Sequence, residues 1–367
     1  MLAESHPLIR RVLRFIALPY CYIRLVNWKE CTKTRYQVAK DLLFIFFKFK
    51  YYPDNYSPCR FWEKDRSTWA FYYGSTYNSY PRIKLRKDVQ PFEYQILFND
   101  KSVSEQLCKS MGVQLPHSFG IIDPSVDCHS IIENIFENSY VNKLIIKPVL
   151  GHAGRGIILA IKNSTGVVIR TKEAECSLSD YVFKEKAIIQ EVIIQDSEIS
   201  KISNNSLNTI RVVSLLTKSN EVMILSSSMR FGSGNAFVDN WSAGGVAVGV
   251  DHKNGKLMEV AFDKHGNQYH KHPDTMVSFY NFQIPYWADV IEISQIVQKS
   301  CPFYKLIGVD VAISTKGPVL IEINANPDIV FQEQTAGPLL KDNRILAEFH
   351  KHDLLINKYQ KNLLENN

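Results

Sequence analysis

The stretch GVDVAISTKGPVLIEINANPD occupies residues 308–328. Two runs rich in Val and Ile, 308–314 and 318–327, flank a short Lys-Gly-Pro turn. That pattern predicts two neighbouring strands. Three oxygen-bearing side chains interrupt the apolar runs. Glu322 and Asn324 are two residues apart, so they share one face of their strand. Asp310 falls across the hairpin from them. An unpaired carboxylate in an apolar sheet is strongly unfavourable. A hard divalent cation relieves it, and Mg²⁺ takes a few carboxylates together with phosphate oxygens and water. Neutralisation by Lys or Arg, or exposure to solvent, is the competing reading.

Upstream, TIRVVSLLT (209–217) and EVMILSSSMRF (221–231) read as further strands, each carrying an arginine, Arg211 and Arg230. A buried guanidinium needs an anion, which is either a ligand phosphate or a structural Asp. Farther back, KLIIKPVL (143–150) runs into Gly151-His152-Ala153-Gly154-Arg155-Gly156, and GIILAI follows directly. Strand, glycine loop, strand is a hairpin; phosphate loops of the nucleotide-binding α/β folds lead into a helix instead. Glycines let backbone N–H groups close on an anion, and Lys147 adds a point charge beside them. Together with a divalent-metal site, this loop suggests a nucleoside triphosphate. AIIQEVII (187–194) is another strand, 287–300 and 345–364 read as helices, and DKSVSEQLCKSMG (100–112) as a capped helix ending at Gly112.

The first hundred residues differ in texture. They hold 17 Lys and Arg against 9 Asp and Glu, while the whole chain carries a net charge of +6. The basic excess therefore lies entirely in this part, as for a surface facing membrane, nucleic acid or a phosphorylated ligand. In LIRRVLRFIAL (8–18), Arg10, Arg11 and Arg14 share one arc of a helix and the apolar side chains fill the other. Such a helix either docks on the protein's own core with its arginines outward, or lies on an anionic membrane. Residues 36–52 form a second helical candidate, and 53–95 read as loops with short strands. No nucleic-acid recognition motif accompanies the charge, so no nucleic-acid partner is expected.

With 367 residues, 45% hydrophobic and 22% charged, the chain is not wholly disordered, collagenous or a coiled coil. At roughly 150 residues per domain it has room for two or three. Seven scattered cysteines without metal-site spacing read as free thiols of a reducing compartment. The start lacks the features of a secretion signal, and no uninterrupted apolar run reaches the ~18 residues of a membrane span. A cytoplasmic protein, peripheral on the inner face of the membrane if residues 8–18 bind lipid, is expected.

The order of Lys101, Lys147-Pro148 with its glycine hairpin, Gln190-Glu191-Val192-Ile193, Arg211, Arg230, Gly244-Gly245 and Asp310…Glu322-x-Asn324 resembles the ATP-grasp superfamily. NSLNTIRVVSLL (205–216), VDNWSAGGVAVGVD (238–251), IPYW (284–287) and the 308–328 hairpin resemble its sugar-transfer-associated family, related to the α-L-glutamate ligases. The likeness spans about residues 95–340. It implies an α+β fold in which two α+β lobes sandwich ATP, preceded by the basic, partly helical N-terminal region. The implied divisions are 1–95, a small lobe 96–189 with the glycine flap, a large lobe 190–345 with the metal site, and a tail 346–367.

By the same resemblance, Lys101 and Lys147 hold phosphates and adenine, and Gly151, His152, Ala153, Gly154 and Gly156 belong to the flap over the phosphates. Gln190, Glu191, Val192 and Ile193 match the hinge that reads adenine. Glu198 matches a ribose-binding acid, with Asp196 competing. Asp310, Glu322 and Asn324 match ligands of two Mg²⁺ ions, Glu322 bridging them. Arg230 matches a γ-phosphate arginine, and Arg211 lies near metal, phosphate or acceptor. Asn208, Asp239, Asn240, Gly244 and Gly245 are candidates for the acceptor side. The implied activity is an ATP- and Mg²⁺-dependent carboxylate–amine ligase working through an acyl phosphate on a cell-surface glycan, with a carboxylate acceptor and an amine donor as partners. A kinase on the same scaffold and a membrane-surface binder are the alternatives. The polar VDNWSAGG stretch and the unfamiliar N-terminal region depart from the amino-acid ligase pattern and leave the acceptor open.

Overall fold

A computed structural model describes residues 7–74, 85, 88–151, 154–234 and 244–365. Among them, two antiparallel sheets lie on consecutive stretches of chain. The first has six strands: β1 (Ser118–Ile122), β2 (Lys143–Pro148), β3 (Ile158–Asn163), β4 (Gly166–Arg170), β5 (Glu175–Ser177) and β6 (Ala187–Glu191). Their order is β1-β6-β2-β3-β4-β5. The second has seven: β7 (Thr209–Leu216), β8 (Val222–Phe231), β9 (Val246–Asp251), β10 (Lys256–Phe262), β11 (Gln268–Tyr269), β12 (Leu306–Ser314) and β13 (Gly317–Asn324). They run β11-β10-β9-β8-β7-β12-β13. The expected α+β class is thus observed, with the hairpins at 143–163 and 306–324 as read from sequence.

Alternation builds the small sheet. Leu144 and Ile146 of β2 and Ile189 of β6 point into a core closed by Ile132 and Phe136 of the Cys128–Asn138 helix. In the large sheet, β12 is buried at every position, which matches its unbroken apolar run. One face packs on Val290 and Val297 of the Trp287–Ser300 helix, and the other on Leu339, Leu346 and Phe349.

Several expectations need correction. The Lys101–Ser110 helix packs Cys108 into the large-sheet core, with Leu107 and Met111 beside it, while its Glu105 accepts from Gln190 of the small sheet. Spaced three and four apart, these residues form one apolar stripe, and that stripe meets the large sheet. Strand β6 continues to Glu191, and the chain crosses between the sheets after it. The crossing is anchored where Asp196 N–H donates to Ile313 O at 2.9 Å. The C-terminal helix is two helices, Asn343–Lys351 and Lys358–Asn362. Between them Asp353 takes φ +51°, and Leu354, Leu355 and Ile356 enter the core.

The strands expected within 53–95 do not occur among the described residues; turns and 3-10 helices take their place. Tyr56, Phe61, Trp62, Trp69 and Tyr72 converge as rings, Phe61 stacked on Trp69 at 5.0 Å. A cluster of aromatics without a period of two favours such a knot over a ladder. At its edge Asp41, on the Arg35–Phe44 helix, accepts from Tyr56 Oη at 2.9 Å and pairs with Lys33 and Arg66. This N-terminal unit joins the large lobe through buried Glu333. The Glu333 carboxylate accepts from Tyr73 N–H at 2.6 Å and Leu339 N–H at 3.2 Å.

The Pro7–Ile16 helix reverses the docked reading of its faces. Leu8, Ile9, Val12, Leu13, Phe15 and Ile16 are exposed, while Arg11 lies over the Phe46 ring and Arg14 over the Tyr52 ring. Among the described residues no helix is long and apolar enough to cross a membrane. All seven cysteines are free.

Candidate functional site

Strand order brings the charged residues together. Arg211 of β7 stands opposite Asp310 of β12, and Asp310 opposite Glu322 of β13. Arg230 of β8 lies two residues beyond Ser228, the partner of Arg211, and so faces the same side. The Arg211 guanidinium grips Asp310 with two bonds of 2.7 Å, Nε to Oδ1 and Nη2 to Oδ2. Arg230 Nη2 adds a third at 2.8 Å to Oδ2, and its Nε donates to Thr209 Oγ1 at 3.1 Å. Burial alone would raise the Asp310 pKa. The two guanidiniums outweigh it and hold the carboxyl well below the usual carboxylate range. The anionic partner of both arginines is therefore Asp310, and the competing reading of that residue holds for most of its lone pairs. Oδ1 takes one bond and keeps acceptor capacity for a cation.

Glu322 is different. Its side chain is 43% exposed, and its nearest ion-pair partner is Arg211 at 3.7 Å. Asn324 lies one place along the same face, and its buried Nδ2 has no partner among the described residues. Behind this pair the chain is fixed: Gln90 Nε2 and Tyr304 Oη both donate to Ala325 O, at 2.8 and 2.9 Å. Gly308 stands opposite Asn324, and a Cβ there would approach the Pro327 ring to 3.0 Å.

Lys147 lies on β2 of the other sheet. Burial lowers the Lys147 pKa, and the Glu322 charge opposes that fall. Lys101 behaves alike: burial lowers it, while Glu322, Asp100 and Glu185 pull it back. One exposed carboxylate on the large sheet thus feels both lysines. Lys101 Nζ also donates to Gly151 O at 2.9 Å, at the root of the glycine loop. Gly154 and Gly156 both take φ +70°, where side chains are disfavoured, and a Cβ on Gly156 would strike Pro148 at 2.8 Å.

The remaining candidates separate. Gln190 is buried in β6 and donates to Glu105 at 3.3 Å; Glu191 accepts from His117 N–H at 2.8 Å; Val192 and Ile193 leave the sheet as the crossing segment. Glu198 is exposed and paired with Lys201 at 2.7 Å, and Asp196 caps that short helix, so each ribose candidate already has a local partner. Asn208 is fully buried. Its amide donates to Gln195 Oε1 and Ser203 O, and its oxygen accepts from Ser206 and Gly232 N–H. These bonds brace the turn ahead of β7. Gly244 and Gly245 lead into β9, Gly244 at φ +109°. His152, Ala153, Asp239 and Asn240 lie outside the described residues.

Sequence reading passed over Glu105. It stands one helical turn after Lys101, is buried, pairs with Lys109, and its charge reaches Lys147. The spacing of four was the available signal.

Among the described residues no group of three or more His, Cys, Asp or Glu forms a metal cage. The donors at hand are two carboxylates and an amide, a set suited to Mg²⁺ completed by phosphate oxygens and water. The arginines balance Asp310 and Glu322, and the charges of Asp100, Glu185 and Glu105 reach the two lysines. A hairpin with a glycine loop on the first sheet and a carboxylate hairpin on the second carry these candidate groups. The sugar-transfer-associated ATP-grasp family matches residues 81–345, and the chain belongs to it.

No curated protein matches the chain. Among solved structures, an ADP complex of N5-carboxyaminoimidazole ribonucleotide synthetase is 10% identical, with TM-score 0.39, over 64% of this chain and 47% of that one. The VanG D-Ala:D-Ser ligase from Enterococcus faecalis is 16% identical, with TM-score 0.42, over 71% and 61%. The D-alanine–D-alanine ligase from Bacillus anthracis is 12% identical, with TM-score 0.40, over 76% and 72%. The chain thus spans about half the length of the first of these.

Proposed function

We propose that the protein is an ATP- and Mg²⁺-dependent ligase that joins a carboxylate to an amine through an acyl phosphate, acting in the making or modification of a cell-surface polysaccharide. The observation that carries the reading is that Arg211, Arg230, Asp310 and Glu322 meet on neighbouring strands of the large sheet, with Asn324 two residues along from Glu322. Glu322, Asn324 and Oδ1 of Asp310 would hold the metal, which neutralises charge on a transferring phosphoryl group. Lys147 and Lys101 bind the phosphates. Arg230 and Arg211, locked by Asp310, present fixed positive charge to the phosphoryl oxygens without reorganising during the reaction. The glycine loop, rooted at Lys101, covers the phosphates and keeps water from a hydrolysable acyl phosphate. No enzyme nucleophile is needed.

Release of ADP, screened over sugar acids and amino acids with mass spectrometry of the products, tests this. A ligase forms ADP and phosphate with an amide product only when both acid and amine are present. A stable phosphorylated product from one hydroxyl acceptor alone would show a kinase and overturn the ligase reading.

A further inference from the structure

We propose that the outer face of the Pro7–Ile16 helix docks the protein on an anionic lipid bilayer, lying in the plane of the headgroups. Six apolar side chains of this helix, from Leu8 to Ile16, are between 42% and 67% exposed. Their direction is held by contacts on the opposite side. Arg11 sits 5.4 Å over the Phe46 ring and Arg14 5.6 Å over the Tyr52 ring, and Tyr52 Oη donates to Ala17 O at 2.8 Å. The guanidiniums, which in a water-facing helix would keep the surface polar, here serve as attachment points. The apolar face continues past the helix: the Phe15 ring is 5.8 Å from exposed Phe47, and Leu43 stands four residues before Phe47. Tyr20 and Ile23 extend it along the chain and are also exposed.

The rim carries one sign of charge. Residues 7–50 contain ten Lys and Arg and only two carboxylates, Glu30 and Asp41. Asp41 is buried and already paired with Lys33 and Arg66. Arg24, Lys29, Arg35, Lys40 and Lys48 are exposed. Exposed apolar side chains with exposed cations close to them in sequence match the acyl boundary and phosphates of an anionic leaflet. The inference goes beyond the ligase reading and stands or falls separately from it.

Flotation of the full chain with vesicles of phosphatidylcholine, with and without phosphatidylglycerol, decides the matter. Binding is expected to the mixed vesicles, to weaken as salt rises, and to be poor with phosphatidylcholine alone. The double variant Val12→Asp/Ile16→Asp should lose about tenfold or more in partitioning while melting at an unchanged temperature. Lys40→Glu/Lys48→Glu should lose about tenfold on the mixed vesicles alone. No binding to mixed vesicles at low salt, or binding indifferent to Val12→Asp/Ile16→Asp, overturns the proposal. So does a dimer in sedimentation equilibrium that this variant dissolves, since a second copy would then cover the face.

Discussion

Two pairs of arginines in this chain solve the same problem in opposite ways. Arg211 and Arg230 are largely buried in a sheet and converge on a single carboxylate, Asp310. Arg11 and Arg14 lie near the surface and rest on the faces of Phe46 and Tyr52. A guanidinium cut off from water requires an anion, whereas one that keeps part of its hydration can settle on a ring quadrupole. The first arrangement is rigid and fixes charge in the cleft. The second is weak per contact and orients a helix. Strong pairing marks the site where charge must not move, and weak pairing marks the place where a surface is displayed.

The largest test of that contrast is Asp310→Asn. It leaves two buried guanidiniums without their carboxylate, and a loss of about 3–5 kcal/mol is expected in denaturant unfolding. A loss below about 1 kcal/mol, the level of an exposed pair, would erase the distinction. Glu322→Gln comes next. The exposed carboxylate is not needed for packing, so stability should stay within about 0.5 kcal/mol, while Mg²⁺-dependent turnover falls at least ~100-fold. Steady-state ADP release at saturating Mg²⁺ measures it.

A third carboxylate sharpens the comparison because among the described residues it pairs with no cation. Burial raises the Glu333 pKa to about 8, against the hydrogen bonds from Tyr73 and Leu339 N–H that favour the anion. The folded state then holds a proton that the unfolded chain releases near pH ~4.5. Its stabilising effect is complete below that pH and is lost as pH rises through about 8. Between those limits wild-type stability should fall by on the order of 1 kcal/mol per pH unit relative to Glu333→Gln, whose amide oxygen accepts the same two bonds. Parallel melting temperatures of the two proteins across that range would contradict it. The smallest effect is Arg14→Gln, expected at about 0.5–1 kcal/mol by thermal unfolding with the cleft's nucleotide affinity unchanged.

The legibility of these features follows their locality. The 308–328 hairpin could be read because a two-residue period, a turn and misplaced carboxylates all lie within a score of residues. That Asp310 would be claimed by Arg211 and Arg230 could not be, because the β8-β7-β12 order joins strands some hundred positions apart. The periodicity of residues 8–18 showed two unlike faces but not which one turns inward. That choice was made by Phe46 and Tyr52, rings that accept a guanidinium. The 101–110 helix could be read from its cap, but not that its Leu107, Cys108 and Met111 meet the large sheet. The break at Asp353 is set by Leu354–Ile356 finding the large-sheet core, a tertiary demand that overrides helix propensity.

The last turns of the chain close a circuit. Gln360 Nε2 donates to Tyr72 O and Tyr73 O at 3.0 and 3.1 Å, and Asn357 Nδ2 to Phe49 O at 3.1 Å. The packing around Phe49, Tyr72 and Tyr73 is therefore completed by a segment far along the chain. Closing that packing joins stretches some three hundred positions apart, and the entropy of so long a loop makes it a slow contact to form.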